Sequence, residues 1–164
     1  QVGCRELDRL FGSVIKERTQ LVIAGCGGYP KDINFYQAHK VLENISRLAE
    51  DNGVVIFFAR CSEGIGSDSF RKGMEDYPTL SAIAERIYND FEVGMHKALF
   101  LRKLIERLRV IIVSDLTEEE ATVMGLIPAH SFEEAMEIAN GLLGEAPSVS
   151  VVTDGSITWP LVEF

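Results

Sequence analysis

The sequence contains four short runs of β-branched and apolar residues, and long segments with helical periodicity separate them. The runs are QLVIAG, GVVIFFARC, RVIIVSD and SVSVVT, at positions 20–25, 53–61, 109–115 and 148–153. Runs this apolar are typical of strands that are buried on both faces. Amphipathic helices are predicted at 34–51, 68–74, 80–90, 93–108 and 132–143. The alternation predicts an α/β fold, with a mostly parallel sheet and helices on both faces.

Capping residues support several of the predicted helix starts. Asp32 or Asn34 precedes the first helix. Thr117 begins the acidic run TEEE, which we interpret as a favourable helix start and not as a metal site, because no His or Cys stands at ligand spacing. Ser131 is predicted to cap the helix that begins FEEA, with Glu134 completing a capping box.

Composition excludes several classes of function. The 164 residues carry 16 basic and 25 acidic side chains, for a net charge of -9. A chain this acidic, with scattered basic residues, lacks the positive surface that drives nucleic-acid binding. Its three cysteines form no CxxC pair, which predicts free thiols in the reducing cytoplasm and neither a disulfide framework nor a zinc site.

No feature of the sequence divides the chain or directs it to a membrane. No linker, internal repeat or low-complexity stretch stands out, so residues 1–164 are predicted to form a single domain. No targeting segment is visible, and the longest apolar run, at 54–59, is too short to span a bilayer. Because the sequence begins with Gln1 instead of Met, we expect a fragment of a longer, two-domain protein.

The segment GGYPKDIN, at 27–34, leads from the first predicted strand into the first predicted helix. In open α/β sheets, ligands bind beyond the carboxyl ends of the strands. Gly27 and Gly28 would let the backbone approach a ligand, and the helix would present free N–H groups to an anion. A second loop, CSEGIGS at 61–67, would bring Glu63 and Gly64 to the same edge. Tight turns without a ligand explain the same glycines equally well.

The predicted helix at 34–51 carries a polar face that is distinct from its apolar face. Tyr36 and Lys40 are four residues apart and Gln37 and Lys40 are three apart, so a phenol, an amide and an ammonium converge near the glycine loop. The trio suits a small carboxylate or hydroxy acid, although an ordinary solvated helix face has the same composition. The three histidines lack metal-ligand spacing and no GxSxG motif is present, so no catalytic or metal-ligating residue is predicted.

The stretch GGYPKDINFYQAHK, followed by the strand that leads into CSEGIGS, resembles the C-terminal domain of the nickel-dependent lactate racemase (LarA-like) family. The resemblance implies one half of a two-domain enzyme that racemises or epimerises 2-hydroxy acids. In such enzymes a nickel pincer nucleotide accepts a hydride from C2 of the substrate and returns it to either face. The residues that hold this cofactor and transfer protons belong to the family's N-terminal half, and this chain matches none of them.

The resemblance also implies roles for three residues. The family's YQxxK motif falls on Tyr36, Gln37 and Lys40. Lys40 would neutralise the substrate carboxylate, Gln37 would orient the acid, and Tyr36 would shape the pocket. Trp159, in the tail SITWPLVEF, does not match the tryptophan on this side of the family's active site, so the particular 2-hydroxy acid is left open.

From these features we expect the substrate-side domain of a 2-hydroxy-acid racemase or epimerase, inactive without its N-terminal domain and binding no cofactor alone. Its partners would be a small 2-hydroxy acid and the missing domain, and neither nucleic acid nor a membrane. The main alternative is a non-catalytic α/β module that binds a phosphate or carboxylate metabolite at the two glycine loops. An assembly domain that docks on other subunits is a third interpretation.

Overall fold

All four predicted apolar runs contribute strands to one parallel sheet. The computed structural model describes residues 2–144 and 146–162. A separate parallel pair joins β1 (Gly12–Ile15) to β7 (Trp159–Val162). The strands of the main sheet are β2 (Thr19–Gly25), β3 (Ala49–Phe58), β4 (Arg109–Val113), β5 (Ile127–Ala129) and β6 (Val149–Val152), in the spatial order β5–β4–β3–β2–β6. Every pairing in it is parallel, which confirms the predicted fold class.

Helices fill most of the connections between the strands. They are α1 (Val2–Phe11), α2 (Phe35–Ile45), α3 (Asp68–Asp76), α4 (Leu80–Asn89), α5 (Met95–Arg107), α6 (Glu118–Val123) and α7 (Phe132–Leu143). Over the described ranges, none of them has the length and apolar character that crossing a membrane requires.

The main sheet buries apolar side chains on both of its faces. Along β3, Phe57 belongs to one buried cluster and Ile56 to the other, because successive side chains of a strand point to opposite faces. The first cluster includes Leu42 from α2. The second includes Ala135 and Ala139 from α7. The prediction of helices on both faces is therefore confirmed.

The order in which strands are added reverses at β2. From β2 the chain adds β3, β4 and β5 toward one edge, and then returns through α7 to pair β6 with the free side of β2. In an open α/β sheet, a reversal of this kind leaves a crevice beyond the carboxyl ends of the two strands. The crevice here lies between the loop that follows β2 and the loop that follows β6.

The predicted helix at 34–51 extends too far at its C-terminal end. α2 ends at Ile45, a 3-10 turn covers Ser46–Leu48, and β3 begins at Ala49. Arg107, at the end of α5, donates to the carbonyl oxygens of Ser46 (2.7 Å) and Ala49 (3.0 Å). Leu48 and Ala49 continue the apolar spacing of the helix. However, a guanidinium from a distant segment satisfies carbonyls that a longer helix would have bonded internally.

Other element boundaries also differ from the prediction. β3 ends at Phe58 and β4 at Val113, so 59–61 and 114–115 belong to loops. The helix α1 and the strands β1, β5 and β7 were not predicted. β5 has only three residues and contains Pro128, which an edge strand tolerates because its N–H side need not be paired. The three strands, of three or four residues each, are too short to carry a clear periodicity.

The predicted capping residues occupy N-cap positions, with one difference in detail. Asn34 is the residue that caps α2, and Thr117 caps α6 in a complete capping box. Ser131 caps α7, as predicted. The carboxylate of Glu134, however, accepts the N–H of His130 and not that of Ser131. The capping box predicted at Ser131 is therefore wrong, because the carboxylate reaches one residue further back.

We expect Ile56→Ala to lower the free energy of unfolding by about 2 to 5 kcal/mol, because Ile56 is fully buried in β3 and its truncation leaves a cavity. Urea unfolding measures the change. Leu142→Ala is the matched control, since the Leu142 side chain on α7 is 47% exposed, and it should cost less than about 1 kcal/mol. Equal losses in the two variants would contradict the position of Ile56 in the core.

Candidate functional site

A cavity of about 400 Å³ lies in the crevice beyond the carboxyl ends of β2 and β6. The loop after β2, the loop after β6 and one side of α2 form its walls. Its lining residues are Lys31, Gln37, Lys40, Val41, Asn44, Gly155, Ser156 and Trp159. Gln37 and Lys40, two of the three predicted site residues, thus lie where the topology of the sheet places a ligand crevice.

Gln37 and Lys40 are hydrogen-bonded to each other. Nζ of Lys40 donates to Oε1 of Gln37 at 2.7 Å, as their three-residue spacing on a helix allows. An ammonium has three donor protons, so Lys40 retains two for another partner. The pair can therefore bind a carboxylate or hydroxyl oxygen from within the cavity.

Lys31 adds a second ammonium to the cavity and connects its two loops. Nζ of Lys31 donates to Oγ of Ser156 at 2.5 Å. Ser156 in turn donates to Oδ1 of Asp154 through Oγ (2.5 Å) and through its N–H (2.9 Å). These hydrogen bonds, the one from the hydroxyl foremost, lower the pKa of Asp154 below its usual value. The ionised Asp154 therefore holds the loop after β6 in place beside the loop after β2.

Gly27 is required where the two loops meet. Its φ is +96°, and a Cβ at this position would lie 2.4 Å from Oδ1 of Asp154 and 2.7 Å from Oγ of Ser156. Gly28 also has a positive φ, of +75°, but a Cβ there would have no neighbour within 4 Å. Gly27 therefore permits the close approach of the two loops, whereas Gly28 serves only the shape of the turn.

Tyr36 lies beside this cavity and not among the residues that line it. Its ring packs edge-on against Phe70 of α3, with 6.1 Å between the ring centroids. Nζ of Lys97, from α5, lies 4.2 Å from the centroid of the Tyr36 ring and donates to the Tyr36 carbonyl oxygen at 2.6 Å. The three predicted side chains therefore do not converge: Gln37 pairs with Lys40 on α2, whereas Tyr36 pairs with Lys97 of α5.

The start of α2 does not present free N–H groups to a ligand, contrary to expectation. The N–H groups of Phe35 and Tyr36 donate to the carbonyl oxygens of Gly64 (3.0 Å) and Ile65 (2.9 Å). The N–H of Gln37 donates to Oδ1 of Asn34. The loop at 61–67 therefore packs against the helix start and satisfies it, as helix ends require.

Glu63 and Gly64 lie on a different side of α2 from the Gln37–Lys40 cavity. The N–H of Glu63 donates to the carbonyl oxygen of Ile33, and a Cβ on Gly64 would lie 2.6 Å from Oε1 of Glu120. Glu63 lines a separate cavity of about 420 Å³ with Arg71 and Glu120 among its walls. The second glycine loop thus reaches the same edge of the sheet as predicted but borders another cavity.

The histidine of the YQAHK stretch is buried and neutral. His39 is 1% exposed and packs against the rings of Phe35 and Phe70. Burial, and after it the charges of Lys97 and His96, lowers the pKa of His39 to about 3. In the described ranges, no three His, Cys, Asp or Glu side chains are grouped so that they could hold a metal ion.

Several residues of the cavity were not predicted from the sequence. Lys31, Ser156 and Trp159 line it, and Trp159 also borders an adjoining, mostly apolar cavity of about 380 Å³ with Phe11 and Ile157. The sequence did contain a signal for the loop after β6, because the Asp-Gly turn in TDGS, at 153–156, directly follows the last apolar run. Like the loop at 27–34, it is a glycine-containing turn at the end of a predicted strand.

Comparison with known proteins identifies the family. The family model for the lactate racemase C-terminal domain matches residues 14–158. The chain belongs to this family. The resemblance of GGYPKDINFYQAHK to the lactate racemase family is thereby confirmed.

Two curated lactate racemases align with almost the whole domain. That of Thermoanaerobacterium thermosaccharolyticum is 27% identical over 158 residues, and that of Lactiplantibacillus plantarum is 29% identical over 160 residues. The alignments cover 93% and 94% of this chain but 37% and 38% of the two relatives. The lactate racemase C-terminal domain described here therefore spans less than two fifths of the length of these relatives.

Solved structures share the fold of the domain. The lactate racemase apoprotein from T. thermosaccharolyticum has a TM-score of 0.88 at 24% identity, covering 99% of this chain and 40% of that chain. A structural genomics target from Thermotoga maritima has a TM-score of 0.65 at 12% identity, covering 99% of this chain and 41% of that chain. At these identities the likeness establishes the fold alone.

Replacing Gly27 by Ala is expected to destabilise the domain more than replacing Gly28 by Ala. Both changes place a side chain at a positive φ, which costs about 1 to 2 kcal/mol. Only Gly27→Ala also forces Asp154 and Ser156 away, which adds about 1 to 3 kcal/mol. Urea unfolding of the two variants measures the difference. Equal losses would show that the two loops do not meet at Gly27.

Stability should fall as the pH is lowered below about 6.5, because unfolded His39 takes up a proton there that folded His39 does not. The slope from this one group is at most about 1.4 kcal/mol per pH unit. His39→Leu should flatten the pH dependence of the free energy of unfolding between about pH 6.5 and 5. Urea unfolding at each pH provides the measurement. His130→Gln, at an exposed position, should keep the wild-type slope.

Proposed function

We propose that this domain is the substrate-side part of a longer, two-domain racemase or epimerase that acts on 2-hydroxy acids. The observation that carries the proposal is the Gln37–Lys40 pair at the strand-order reversal, in a chain of the lactate racemase C-terminal domain family. Both relatives named above are lactate racemases. Since this chain spans less than two fifths of their length, the reaction is proposed for the longer protein.

In this proposal, Lys40 binds the carboxylate of the substrate. Its ammonium lies at the cavity and retains two donors beyond its hydrogen bond to Gln37. A hydrogen bond between two charged groups is roughly twice as strong as a neutral one, which suits a small ligand with few contacts. Gln37 orients the acid, and Tyr36, which lies beside the cavity, supports the turn of α2 that carries Gln37.

Lys31 and Trp159 extend this binding site. Lys31 places a second positive charge at the cavity, on the loop after β2, where it would favour an anionic ligand. Trp159 lies between the polar cavity and the apolar one, so it would meet the part of the substrate beyond C2. We therefore propose that Trp159 contributes to the choice among 2-hydroxy acids, although it was assigned no role from the sequence.

The nickel pincer nucleotide implied by the resemblance would supply hydride transfer at C2 of the substrate. The residues of this chain do not fit the task of holding it. An ammonium, an amide and a phenol are not a nickel ligand set, and in the part of the chain that the structure describes no His, Cys, Asp or Glu cluster stands at the cavity. We therefore assign the nucleotide to the part of the longer protein that lies outside this chain.

The alternative of a module that binds an anion at the two glycine loops has less support. That alternative requires a helix start with free N–H groups, but the N–H groups of Phe35 and Tyr36 already donate to the carbonyl oxygens of Gly64 and Ile65.

We propose the cytoplasm as the compartment of the enzyme. Cys26 and Cys61 are buried free thiols, which suit a reducing compartment.

The test is racemisation of 2-hydroxy acids by the full-length protein with its cofactor bound. Lys40→Ala should lower kcat/KM by at least about a hundredfold, because the substrate carboxylate loses its cation. The free energy of unfolding should change by less than about 0.5 kcal/mol, since Lys40 is exposed. Chiral chromatography of the products measures activity.

Lys72→Ala provides the matched control, because Lys72 is an exposed helical lysine on α3 that lines no part of this cavity. It should leave kcat/KM unchanged. A Lys40→Ala protein with wild-type activity would remove Lys40 from the site. A full-length protein that leaves the C2 configuration of every 2-hydroxy acid in a broad panel unchanged would refute the proposed reaction.

A further inference from the structure

Lys97 is a buried cation next to the candidate site. Its side chain lies between α5 and α2, and the residue is 6% exposed. Nζ donates to the main-chain carbonyl oxygen of Tyr36 at 2.6 Å and lies 4.2 Å from the centroid of the Tyr36 ring. Among the described residues, the polar contacts of its ammonium are therefore with the ring and the carbonyl oxygen of a single residue.

This position is costly for an ammonium. Among the described residues, no ion pair involves Lys97. Burial, and after it the charge of Lys40, lowers the pKa of Lys97 to about 8, while Glu43 opposes the shift. A buried charge without an ion-pair partner destabilises a fold, and an apolar side chain of similar volume would often be better for stability. Stability alone therefore does not account for Lys97.

The contacts of Lys97 act on the first turn of α2, which carries Gln37 and precedes the turn that carries Lys40. Tyr36 is followed directly by Gln37, and Lys40 lies four residues after Tyr36, on the same side of the helix. The contact of an ammonium with an aromatic ring is directional, because it depends on the negative face of the ring. Lys97 therefore restrains the ring of Tyr36 and the backbone that carries Gln37.

We propose that Lys97 is a positioning residue of the site: it holds the ring and carbonyl of Tyr36, and so sets how α2 presents Gln37 and Lys40 to a substrate carboxylate. The inference rests on the proposed function. Lys97 acts through Tyr36 and does not itself contact the substrate.

The experiment uses the full-length, cofactor-loaded protein. Lys97→Met keeps the volume but removes the charge, and it should raise KM for the 2-hydroxy acid about tenfold with a change in kcat below about threefold. Lys97→Arg keeps a cation on the ring and should bring KM to within about threefold of the wild-type value. Lys103→Met, an exposed lysine of the same helix, should leave KM unchanged.

A double-mutant cycle separates positioning from a merely structural role. In a Tyr36→Leu background, Lys97→Met should raise KM by clearly less than in the wild-type background, because the ring is already gone and only the hydrogen bond to the main-chain carbonyl of residue 36 is left to lose. Lys97→Met should also unfold at no lower urea concentration than the wild type. A Lys97→Met protein that fails to fold, keeps the wild-type KM, or raises KM equally in both backgrounds would overturn the proposal.

Glycolate binding distinguishes this inference from the proposed reaction. Glycolate carries only the carboxylate and hydroxyl that all 2-hydroxy acids share, and calorimetry of the full-length protein reports its affinity without turnover. If Lys97→Met but not Lys103→Met weakens glycolate binding while no acid is racemised, the positioning role stands and the proposed reaction fails. If the wild type racemises its substrate and Lys97→Met binds glycolate normally, the reaction stands and the role of Lys97 fails.

Discussion

β2 pairs with β3 on one side and with β6 on the other, and the candidate site depends on this arrangement. Both pairings are parallel, so the loops after β2 and β6 leave the sheet at the same edge. Lys31 comes from one loop and Ser156 from the other, and their hydrogen bond holds the loops together. Gly27 allows the approach because it has no side chain. Without β6 on the free side of β2, one wall of the cavity would be missing.

The glycine loop at 61–67 supports the start of α2, a role that its composition alone does not reveal. The loop at 61–67 accepts the first N–H groups of α2 through the carbonyls of Gly64 and Ile65. The helix start is thereby fixed against the sheet and is not available as an anion site. Lys97 restrains the same turn from α5, at the cost of burying an ammonium. Gln37 therefore projects from a turn that is held on two sides, and Lys40 follows on the next turn of the helix.

The local sequence pattern was sufficient to predict the strands that consist of continuous apolar, β-branched residues. The run RVIIV became β4 within two residues of its predicted end, because continuous β-branched residues suit a strand buried on both faces. The C-terminal end of α2 was missed because Arg107, a residue from another helix, satisfies the carbonyls of Ser46 and Ala49. β5 was missed because three residues with a central proline carry no period. These errors arise where a distant contact, or the edge of the sheet, decides the local conformation.

Residues close together in the chain set the α/β class, the family motif and the spacing that pairs Gln37 with Lys40, so the amino-acid sequence alone was enough to predict these features. The residues that face Gln37 and Lys40 across the cavity depend on the tertiary structure. Lys31 and Ser156 are 125 positions apart, and Trp159 reaches the same cavity from β7, which pairs with β1 near the start of the chain. The partner of Tyr36 likewise comes from α5, 61 positions away. Contacts at such separations depend on how the strands are ordered, and no local periodicity encodes that order.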